Sequence, residues 1–193
     1  MKNIGVLSLQ GDVSEHIISM EKAVEKMKLD AFVEAVSSRD RLREVDALVI
    51  PGGESTTIGK LIHMYSLDGV IRDLIKEDKP VMGTCAGMVL LASRVEDNSF
   101  ILGCMDLKVE RNAFGRQRES FEKDITIKGF NGKYHAVFIR APAIKRMWGS
   151  SEPMAEVDGK VVMARQDNLI VLSFHPELVP DTRVQELFLD PLM

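Results

Sequence analysis

The stretch KPVMGTCAGMVLLA, residues 79–92, joins a short apolar run to a helical pattern. The apolar residues ahead of Gly83 predict a buried strand, and the spacing of Met88 and Leu91 predicts a helix that follows at once. Between the two lies Gly-x-Cys-x-Gly, the cysteine form of a nucleophile elbow, in which a sharp turn lifts one side chain above a sheet. This stretch therefore predicts an α/β fold with Cys85 at the end of a central strand.

The two glycines of this elbow have a steric explanation. A turn this tight brings backbones together, so a Cβ at Gly83 or Gly87 would clash with the neighbouring strand or helix. The cysteine between them is expected in an uncommon backbone conformation that costs on the order of 1–3 kcal/mol. A lone cysteine in an apolar run is more often part of the core, which is our interpretation of Cys104. For Cys85 the paired glycines favour a nucleophile instead.

The composition is that of an ordinary globular protein. With 193 residues, 45% of them hydrophobic and 28% charged, we predict a single domain over residues 1–193. A net charge of −4 offers no basic surface and disfavours a nucleic-acid partner. Two cysteines do not make a disulfide framework, and a reactive thiol suits a reducing compartment. Without a signal pattern or an apolar run near the roughly 18 residues that cross a bilayer, we predict a cytoplasmic protein with no membrane partner.

The first half of the chain alternates strands with helices. Apolar runs predict strands at 4–9, 31–36, 47–50 and the elbow, and amphipathic patterns predict helices at 13–27, 58–65 and 67–76, with a short helical turn between 39 and 45. Asp12 precedes the first of these helices and is expected to cap it. This alternation predicts a mostly parallel, flavodoxin-like sheet with helices on both faces.

The second half predicts antiparallel strands added to that core. They are expected at 105–110, 121–127, 134–140, 156–157, 161–165 and 169–174, with two-residue hairpin turns at Asn131-Gly132 and Asp158-Gly159. A closing helix is expected at 183–189, capped by Asp181 or Thr182. The predicted fold is therefore a three-layer α/β domain with a mostly parallel central sheet, flanking helices and added antiparallel strands.

A thiol nucleophile needs a base, and the base needs a group that orients it. Of four histidines, His16 and His63 lie in amphipathic helices, where a solvent-facing or hydrogen-bonded ring is expected, and His135 lies at a strand edge. His175 follows an apolar strand, at the carboxyl end where open α/β sheets bind ligands. In extended backbone, residues i and i+2 project to the same side, so Glu177 could bond the imidazole. The alternative is a turn with a solvated glutamate.

The sequence PGGES, residues 51–55, also follows a strand and supplies backbone amides. We expect the amides of Gly53 and Ala86 to form an oxyanion hole, in which one lost donor costs about 3–4 kcal/mol of transition-state stabilisation. A phosphate-binding loop is the competing interpretation. Its pattern would need Gly at 54 and Ser or Thr at 61, where this chain has Glu54 and Leu61, so we reject it.

Three motifs in this order resemble the class I, or triad, glutamine amidotransferases: the loop at 51–55, the elbow at 83–87 and SFHPE at 173–177. Within that class, three further stretches are similar to the glutaminase subunits of pyridoxal 5′-phosphate synthase: LQGDVSEH at 9–16, VERNAFGRQ at 109–117 and VFIRAP at 137–142. The likeness spans nearly the whole chain.

The resemblance implies a glutaminase reaction that needs no cofactor and no metal. Cys85 would attack the side-chain amide of L-glutamine, form a glutamyl thioester and release ammonia. His175 would act first as general base and then as general acid, and Glu177 would orient it. The ammonia would pass through a protein channel to the lyase subunit of the synthase, which builds the cofactor ring.

The resemblance also assigns the binding residues. The glutamine pocket would contain Gly52, Gly53, Glu54, Arg111, Ile139 and Arg140. A planar guanidinium suits the α-carboxylate of the substrate, although Arg111 without the resemblance would be a surface ion-pair partner. The partner interface would contain Gln10, Gly11, Asp12, Glu15 and His16. In this family the glutaminase is nearly idle until the partner docks and arranges the oxyanion hole.

Two other functions are weighed against this one. A cysteine peptidase or a stress-response protein of the same architecture often has a histidine directly after the cysteine, where this chain has Ala86. A non-catalytic regulatory subunit would not need the intact set of Cys85, His175 and Glu177. Glutamine hydrolysis remains the leading hypothesis.

Overall fold

The structure is a computed structural model and describes residues 1–96, 100–115 and 119–193, so the end of the motif predicted at 109–117 lies outside the described residues. The strands are β1 (Lys2–Leu7), β2 (Ala31–Val36), β3 (Ala47–Ile50), β4 (Val81–Thr84), β5 (Ala92–Val95), β6 (Met105–Glu110), β7 (Ser120–Ile125), β8 (Tyr134–Ile139), β9 (Ala143–Met147), β10 (Glu152–Val157), β11 (Lys160–Gln166) and β12 (Leu169–Leu172). The helices are α1 (Val13–Met27), α2 (Arg39–Arg43), α3 (Ser55–Met64), α4 (Asp68–Lys76), α5 (Ala86–Leu91) and α6 (Arg183–Leu189), with 3-10 turns at Pro176–Leu178 and Asp190–Leu192. None of the described helices is both long and apolar enough to cross a membrane.

The central sheet has a parallel half and a mostly antiparallel half. Its parallel half runs β2-β1-β3-β4-β12, the strand order of flavodoxin-like folds. The sheet continues through β11, β9, β6 and β5, with β10 paired to β11, while β7 and β8 form a separate hairpin. Because β3, β4 and β12 are parallel neighbours, the three motifs that follow them meet at one edge. The predicted fold class is confirmed.

Helices cover both faces of the sheet because its strands are apolar on both sides. In β3, Leu48 and Ile50 join the core beneath α2, α3, α4 and α5. Ala47 and Val49 point to the other core, which contains residues of α1, α6 and the β7–β8 hairpin. Because successive side chains of a strand point to opposite faces of the sheet, β3 and β4 contribute to both cores and lie in the middle layer of three.

Two predicted turns had different outcomes. Asp158-Gly159 joins β10 to β11 as a two-residue hairpin, and both residues have positive φ, at 51° and 74°. The Asn131-Gly132 prediction was wrong, because β7 and β8 are joined by the longer segment 126–133. Ile127 in this segment is 1% exposed and Phe130 packs on the Tyr134 ring, so burial of apolar side chains makes the connection wider.

Other differences are at element boundaries. The first strand lies at 2–7 instead of 4–9, β10 begins four residues earlier than predicted, and β5 and β9 were not predicted. The closing helix has the predicted bounds, and Thr182 occupies its N-cap position without a capping hydrogen bond from its side chain. Asp181 accepts a hydrogen bond from the Arg183 amide instead, at 3.1 Å.

Candidate active site

The nucleophile elbow lies between β4 and α5. Cys85 has φ 47° and ψ −97°, a conformation that a non-glycine residue rarely adopts. A Cβ at Gly83 would lie 2.6 Å from the carbonyl carbon of Gly87, and a Cβ at Gly87 would lie 2.3 Å from the carbonyl oxygen of Ile50. Both contacts are with backbone, which cannot move aside as a side chain can. The steric explanation predicted for the two glycines is therefore confirmed.

His175 and Glu177 form a buried pair just past β12. Nδ1 of His175 lies 2.6 Å from Oε1 of Glu177, and the two residues are 4% and 8% exposed. The 3-10 turn Pro176–Leu178 turns the glutamate back toward the imidazole. Gln185, buried on α6, donates a hydrogen bond to the Pro176 carbonyl at 3.0 Å and holds this turn in place.

The Cys85 sulfur and the His175 imidazole are neighbours, but no well-aligned hydrogen bond joins them in this structure. The Sγ of Cys85 donates a 3.8 Å hydrogen bond to the backbone oxygen of Ile139. Nε2 of His175 is buried and has no hydrogen-bond partner within residues 1–96, 100–115 and 119–193. Catalytic hydrogen bonds in enzymes without substrate are often long and tighten only in the complex.

The electrostatics of the pair favour a protonated imidazole. Burial lowers the pKa of His175, but the neighbouring Cys85 and Glu177 side chains outweigh it and raise the pKa to about 10. Burial raises the pKa of Glu177, but the hydrogen bond with His175 and the nearby His16 ring outweigh that effect, so the net shift is downward. The two shifts favour an ionised Glu177 beside an imidazole that accepts and holds a proton readily.

A cavity of about 380 Å³ opens beside the sulfur, in the size range of small-molecule pockets. Its walls contain Gln10, Asp12, Gly53, Glu54, Ser55, Cys85, Ala86, Val89, Arg111, Asn112, Ile139, Arg140, Pro142 and His175. The structure thus brings together most of the predicted catalytic and pocket residues. Two of them lie behind the wall: Gly52, whose Cβ would lie 2.7 Å from Cε1 of His175, and the buried Glu177.

The far side of the cavity comes from the turn after β6 and the end of β8. Nη1 of Arg111 lies 3.4 Å from Oγ1 of Thr56 on α3, so the guanidinium reaches across the cavity mouth. Arg140 has φ 43°, and the Ala113 amide donates to the Ala141 carbonyl at 3.0 Å. The two segments are tied together by this backbone hydrogen bond.

The glycine loop is held from outside by the turn before α1. The Glu54 amide donates to Oε1 of Gln10 at 2.8 Å, and the Asp12 amide lies 3.4 Å from the Gly52 carbonyl oxygen. A Cβ at Gly11 would lie 1.8 Å from that same oxygen, so the two turns are in van der Waals contact. The Glu54 carboxylate caps α3 by accepting from the amides of Thr56 and Thr57, at 3.1 and 2.7 Å.

Two residues predicted for the partner interface are placed differently. His16 is 0% exposed, so its side chain does not form part of the surface, and that prediction was wrong. The reason is helical spacing, because His16 lies on the same face of α1 as Met20 and Ala23, which are also buried. Asp12 lines the cavity and makes no capping hydrogen bond with α1; its Oδ2 lies 3.6 Å from Nδ1 of His175. Gln10, Gly11 and Glu15 are exposed.

Sequence reasoning missed part of the site. His16 contacts both Thr84 and the Glu177 carboxylate, and the helical period of α1 was the available signal for its burial. Among the described residues, Asp12, His175 and Glu177 also have donor atoms within 4.8 Å of one another. Nδ1 of His175 already shares a proton with Glu177, so this grouping is better described as a hydrogen-bonded pair than as a metal site.

The structure places a cysteine elbow, a His–Glu pair past one neighbouring strand and a glycine loop past the other at one edge of the sheet, which is the arrangement predicted for a glutamine amidotransferase. A solved glutamine amidotransferase has the same fold with a TM-score of 0.87, at 40% identity over 97% of each chain. The chain belongs to the SNO glutamine amidotransferase family, whose model matches residues 6–193.

Individual relatives agree with this assignment. The pyridoxal 5′-phosphate synthase subunit PdxT of Methanococcoides burtonii is 46% identical, over 98% of both chains. The subunit of the same name from Actinobacillus pleuropneumoniae serotype 5b is 51% identical, over 98% of this chain and 95% of the relative. The PurLQS structure from Thermotoga maritima is 14% identical with a TM-score of 0.69, and this likeness concerns the fold alone.

Proposed function

We propose that this chain hydrolyses L-glutamine to L-glutamate and ammonia as the glutaminase subunit of a pyridoxal 5′-phosphate synthase. The observation that carries the proposal is the buried His175–Glu177 pair beside Cys85 at the wall of one cavity. Membership of a glutamine amidotransferase family and 46–51% identity to PdxT subunits supply the substrate and the assembly.

In the first half-reaction Cys85 is the nucleophile, and His175 acts first as general base and then as general acid. The sulfur attacks the side-chain amide carbon as Nε2 of His175 takes up the thiol proton, and the negative charge moves to the amide oxygen. His175 then donates that proton to the departing nitrogen. The carbon–nitrogen bond breaks, ammonia leaves, and a glutamyl thioester remains on Cys85.

In the second half-reaction the neutral His175 accepts a proton from water. The resulting hydroxide attacks the thioester carbon, the carbon–sulfur bond breaks, and glutamate is released. Glu177 keeps Nδ1 protonated throughout, which leaves Nε2 as the nitrogen that exchanges protons. The raised pKa of His175 favours uptake of the thiol proton in the first step.

The remaining wall residues would bind the substrate. We assign Arg111 to the α-carboxylate, and Gly52, Gly53, Glu54, Ile139 and Arg140 to the rest of the glutamine pocket. The amides of Gly53 and Ala86 would stabilise the oxyanion. Gln10 and Asp12 line the same cavity, so they are placed to sense whether it is occupied.

The partner would be the ammonia-using lyase subunit, in a hetero-oligomer. We place its docking surface on the exposed side chains and backbone of Gln10, Gly11 and Glu15, because this turn contacts the glycine loop. Cys85 and Cys104 are free thiols, which suits the cytoplasm. We further propose that residues 1–193 act as one domain, because strands from both ends of the chain share the central sheet.

The test is ammonia release from glutamine, with and without the candidate lyase subunit at matched concentrations. We expect release that rises in the presence of the lyase subunit and is lost in Cys85→Ala. Cys104→Ala is the matched control, because Cys104 lies outside the cavity, and it should retain activity. Glutamine turnover that persists in Cys85→Ala, or absence of turnover in the mixed sample, would refute the proposal.

A further inference from the structure

A second histidine is buried against the carboxylate that orients the first. His16 is 0% exposed, and its Nε2 lies 3.3 Å from Oε2 of Glu177 and 3.0 Å from Oγ1 of Thr84. The other oxygen of Glu177, Oε1, is bonded to His175. The glutamate is therefore flanked by two imidazoles, one on each oxygen.

These contacts identify the proton on His16. A carboxylate oxygen only accepts hydrogen bonds, so the nitrogen that faces Glu177 must carry a hydrogen. Burial lowers the pKa of His16 and outweighs the opposing charge of Glu177, so the ring is neutral at pH 7. Nδ1 of His16 then carries no hydrogen and can only accept. It is buried and has no hydrogen-bond partner among the described residues, but no N–H group is left unpaired.

The Nε2–H of His16 lies near two acceptors, the hydroxyl of Thr84 and Oε2 of Glu177. It is closer to the Thr84 hydroxyl, and Oε2 of Glu177 makes no aligned hydrogen bond in the part of the chain that the structure describes. A buried carboxylate oxygen without a donor is costly, so a small rotation of the His16 ring toward Oε2 is favourable. The hydroxyl of Thr84 and the carboxylate thus compete for the same donor.

We propose that His16 is a positioning residue, whose Nε2–H holds Oε2 of Glu177 so that Oε1 stays aligned on His175. A carboxylate held at both oxygens cannot rotate away from its histidine, whereas one held at a single oxygen can. The inference rests on the proposed function, because it gives His16 a role in the same reaction. His16 does not touch the substrate and acts only through Glu177.

The experiment measures the rate at which chloroacetamide alkylates Cys85 at pH 7, followed by mass spectrometry of the full-length chain after digestion. Alkylation needs the thiolate that the aligned His175 stabilises, and it does not need glutamine turnover. Cys104 in the same molecule reports any general loosening of the fold. The variants are His16→Leu, which has no donor, His16→Gln, whose amide N–H can replace Nε2–H, and Thr84→Val. Met20→Leu, a buried change on the same helix, is the matched control.

We expect His16→Leu to alkylate about 10-fold more slowly at Cys85 or slower still, the effect of losing a hydrogen bond to a charged group. His16→Gln should recover most of the rate, and Thr84→Val and Met20→Leu should stay within about twofold, as volume-conserving changes do. In glutamine assays of the same variants, kcat should fall for His16→Leu with KM unchanged, because the substrate pocket is untouched.

Three results would overturn the proposal. The first is a His16→Leu rate within twofold of that of the natural chain. The second is a His16→Gln rate as slow as that of His16→Leu. The third is a Thr84→Val rate as slow as that of His16→Leu. The last would mean that His16 acts through the elbow and not through Glu177. If His16→Leu fails to fold, His16→Met, which also lacks a donor, takes its place in the same comparison. Absence of glutamine turnover in the natural chain mixed with the lyase subunit would refute the proposed function and leave the alkylation result valid.

Discussion

The elbow and the glycine loop form two walls of one cavity, but different parts of the molecule hold them in place. The elbow is fixed from within, because Gly83 and Gly87 pack backbone against backbone beneath Cys85. The glycine loop is fixed from outside, because an exposed side chain, Gln10, accepts from its Glu54 amide. One wall therefore depends on the core and the other on a surface turn, so a docking partner can reach the second wall but not the first.

The largest expected effect is at the elbow itself. Cys85→Ala and Cys85→Gly should each lower glutamine turnover by at least about 10⁴-fold, because the proposed nucleophile is gone. They should differ in stability, since glycine adopts φ 47° without strain. We expect Cys85→Gly to be more stable than Cys85→Ala by about 1 kcal/mol in urea unfolding. Equal midpoints for the two variants would mean that the elbow stores no strain.

The next effect tests the packing of the elbow, the wall of the cavity that depends on the core. Gly87→Ala places a methyl group 2.3 Å from the Ile50 carbonyl oxygen, which belongs to a buried central strand. We expect the free energy of unfolding to fall by about 3 kcal/mol, at the upper end of overpacking effects. Gly69→Ala is the control, because its Cβ would meet nothing within 4 Å, and it should be neutral or stabilising by up to about 1 kcal/mol. A loss of less than 1 kcal/mol for Gly87→Ala would contradict the comparison.

The glycine loop, which the surface turn holds in place, should tolerate a glycine-to-alanine change in its support better than the elbow does. Gly11→Ala meets the Gly52 carbonyl oxygen at 1.8 Å and has φ 111°, but the Gly11 turn can move toward solvent. We expect a loss of about 1–2 kcal/mol together with impaired glutamine turnover, because the glycine loop loses its support. Gly132→Ala, with φ 73° and nothing within 4 Å, isolates the cost of positive φ alone. Gly11→Ala unfolding as easily as Gly87→Ala would remove the distinction between the walls.

The smallest effect concerns the cap of α3. Burial raises the pKa of Glu54, but hydrogen bonds from Thr57 and Thr56 outweigh it and leave the pKa below its ordinary value of 4.5. A carboxyl group with a lowered folded-state pKa stabilises the protein above the ordinary value and loses that effect as pH falls through the lowered one. Glu54→Ala should therefore cost about 1 kcal/mol at pH 7, with the difference shrinking below about pH 4.5.

The matched control for this cap is Glu21→Ala, an exposed change on α1 for which we expect less than about 0.5 kcal/mol at any pH. Urea unfolding of the three proteins between pH 7 and pH 3 would measure both differences. A cost for Glu54→Ala that does not depend on pH would show that the carboxylate charge is not what holds the amides.

The features that could be predicted from the sequence are those that a few adjacent residues determine. Cys85, His175 and Glu177 were found because each follows a strand, and neighbouring parallel strands bring their carboxyl ends together. The Asp158-Gly159 turn was found because only particular residues tolerate two successive positive φ angles. These features follow from a few adjacent residues and one rule of sheet topology.

The features that were missed depend on contacts between distant segments. His16 is buried because α1 packs over the sheet beside Glu177, which lies 161 positions later in the chain. Because histidine is polar, its position on the apolar face of α1 was not recognised from the sequence. Asn131-Gly132 has the composition of a tight turn, but burial of Ile127 overrides it. The strand β9 is short and carries charged residues, so its pairing with β6 was not visible in its own pattern.

The position of β12 has a consequence for synthesis of the chain on the ribosome. This strand inserts between β4 and β11, and His175 follows it, although the elbow is complete by Leu91. At about 5–20 residues per second, the ribosome needs roughly 4–17 s to add the 85 residues from Cys85 to Leu169. During that interval the nascent chain carries the elbow cysteine without the strand that positions His175, so the Cys85–His175 pair forms only after β12 has been made.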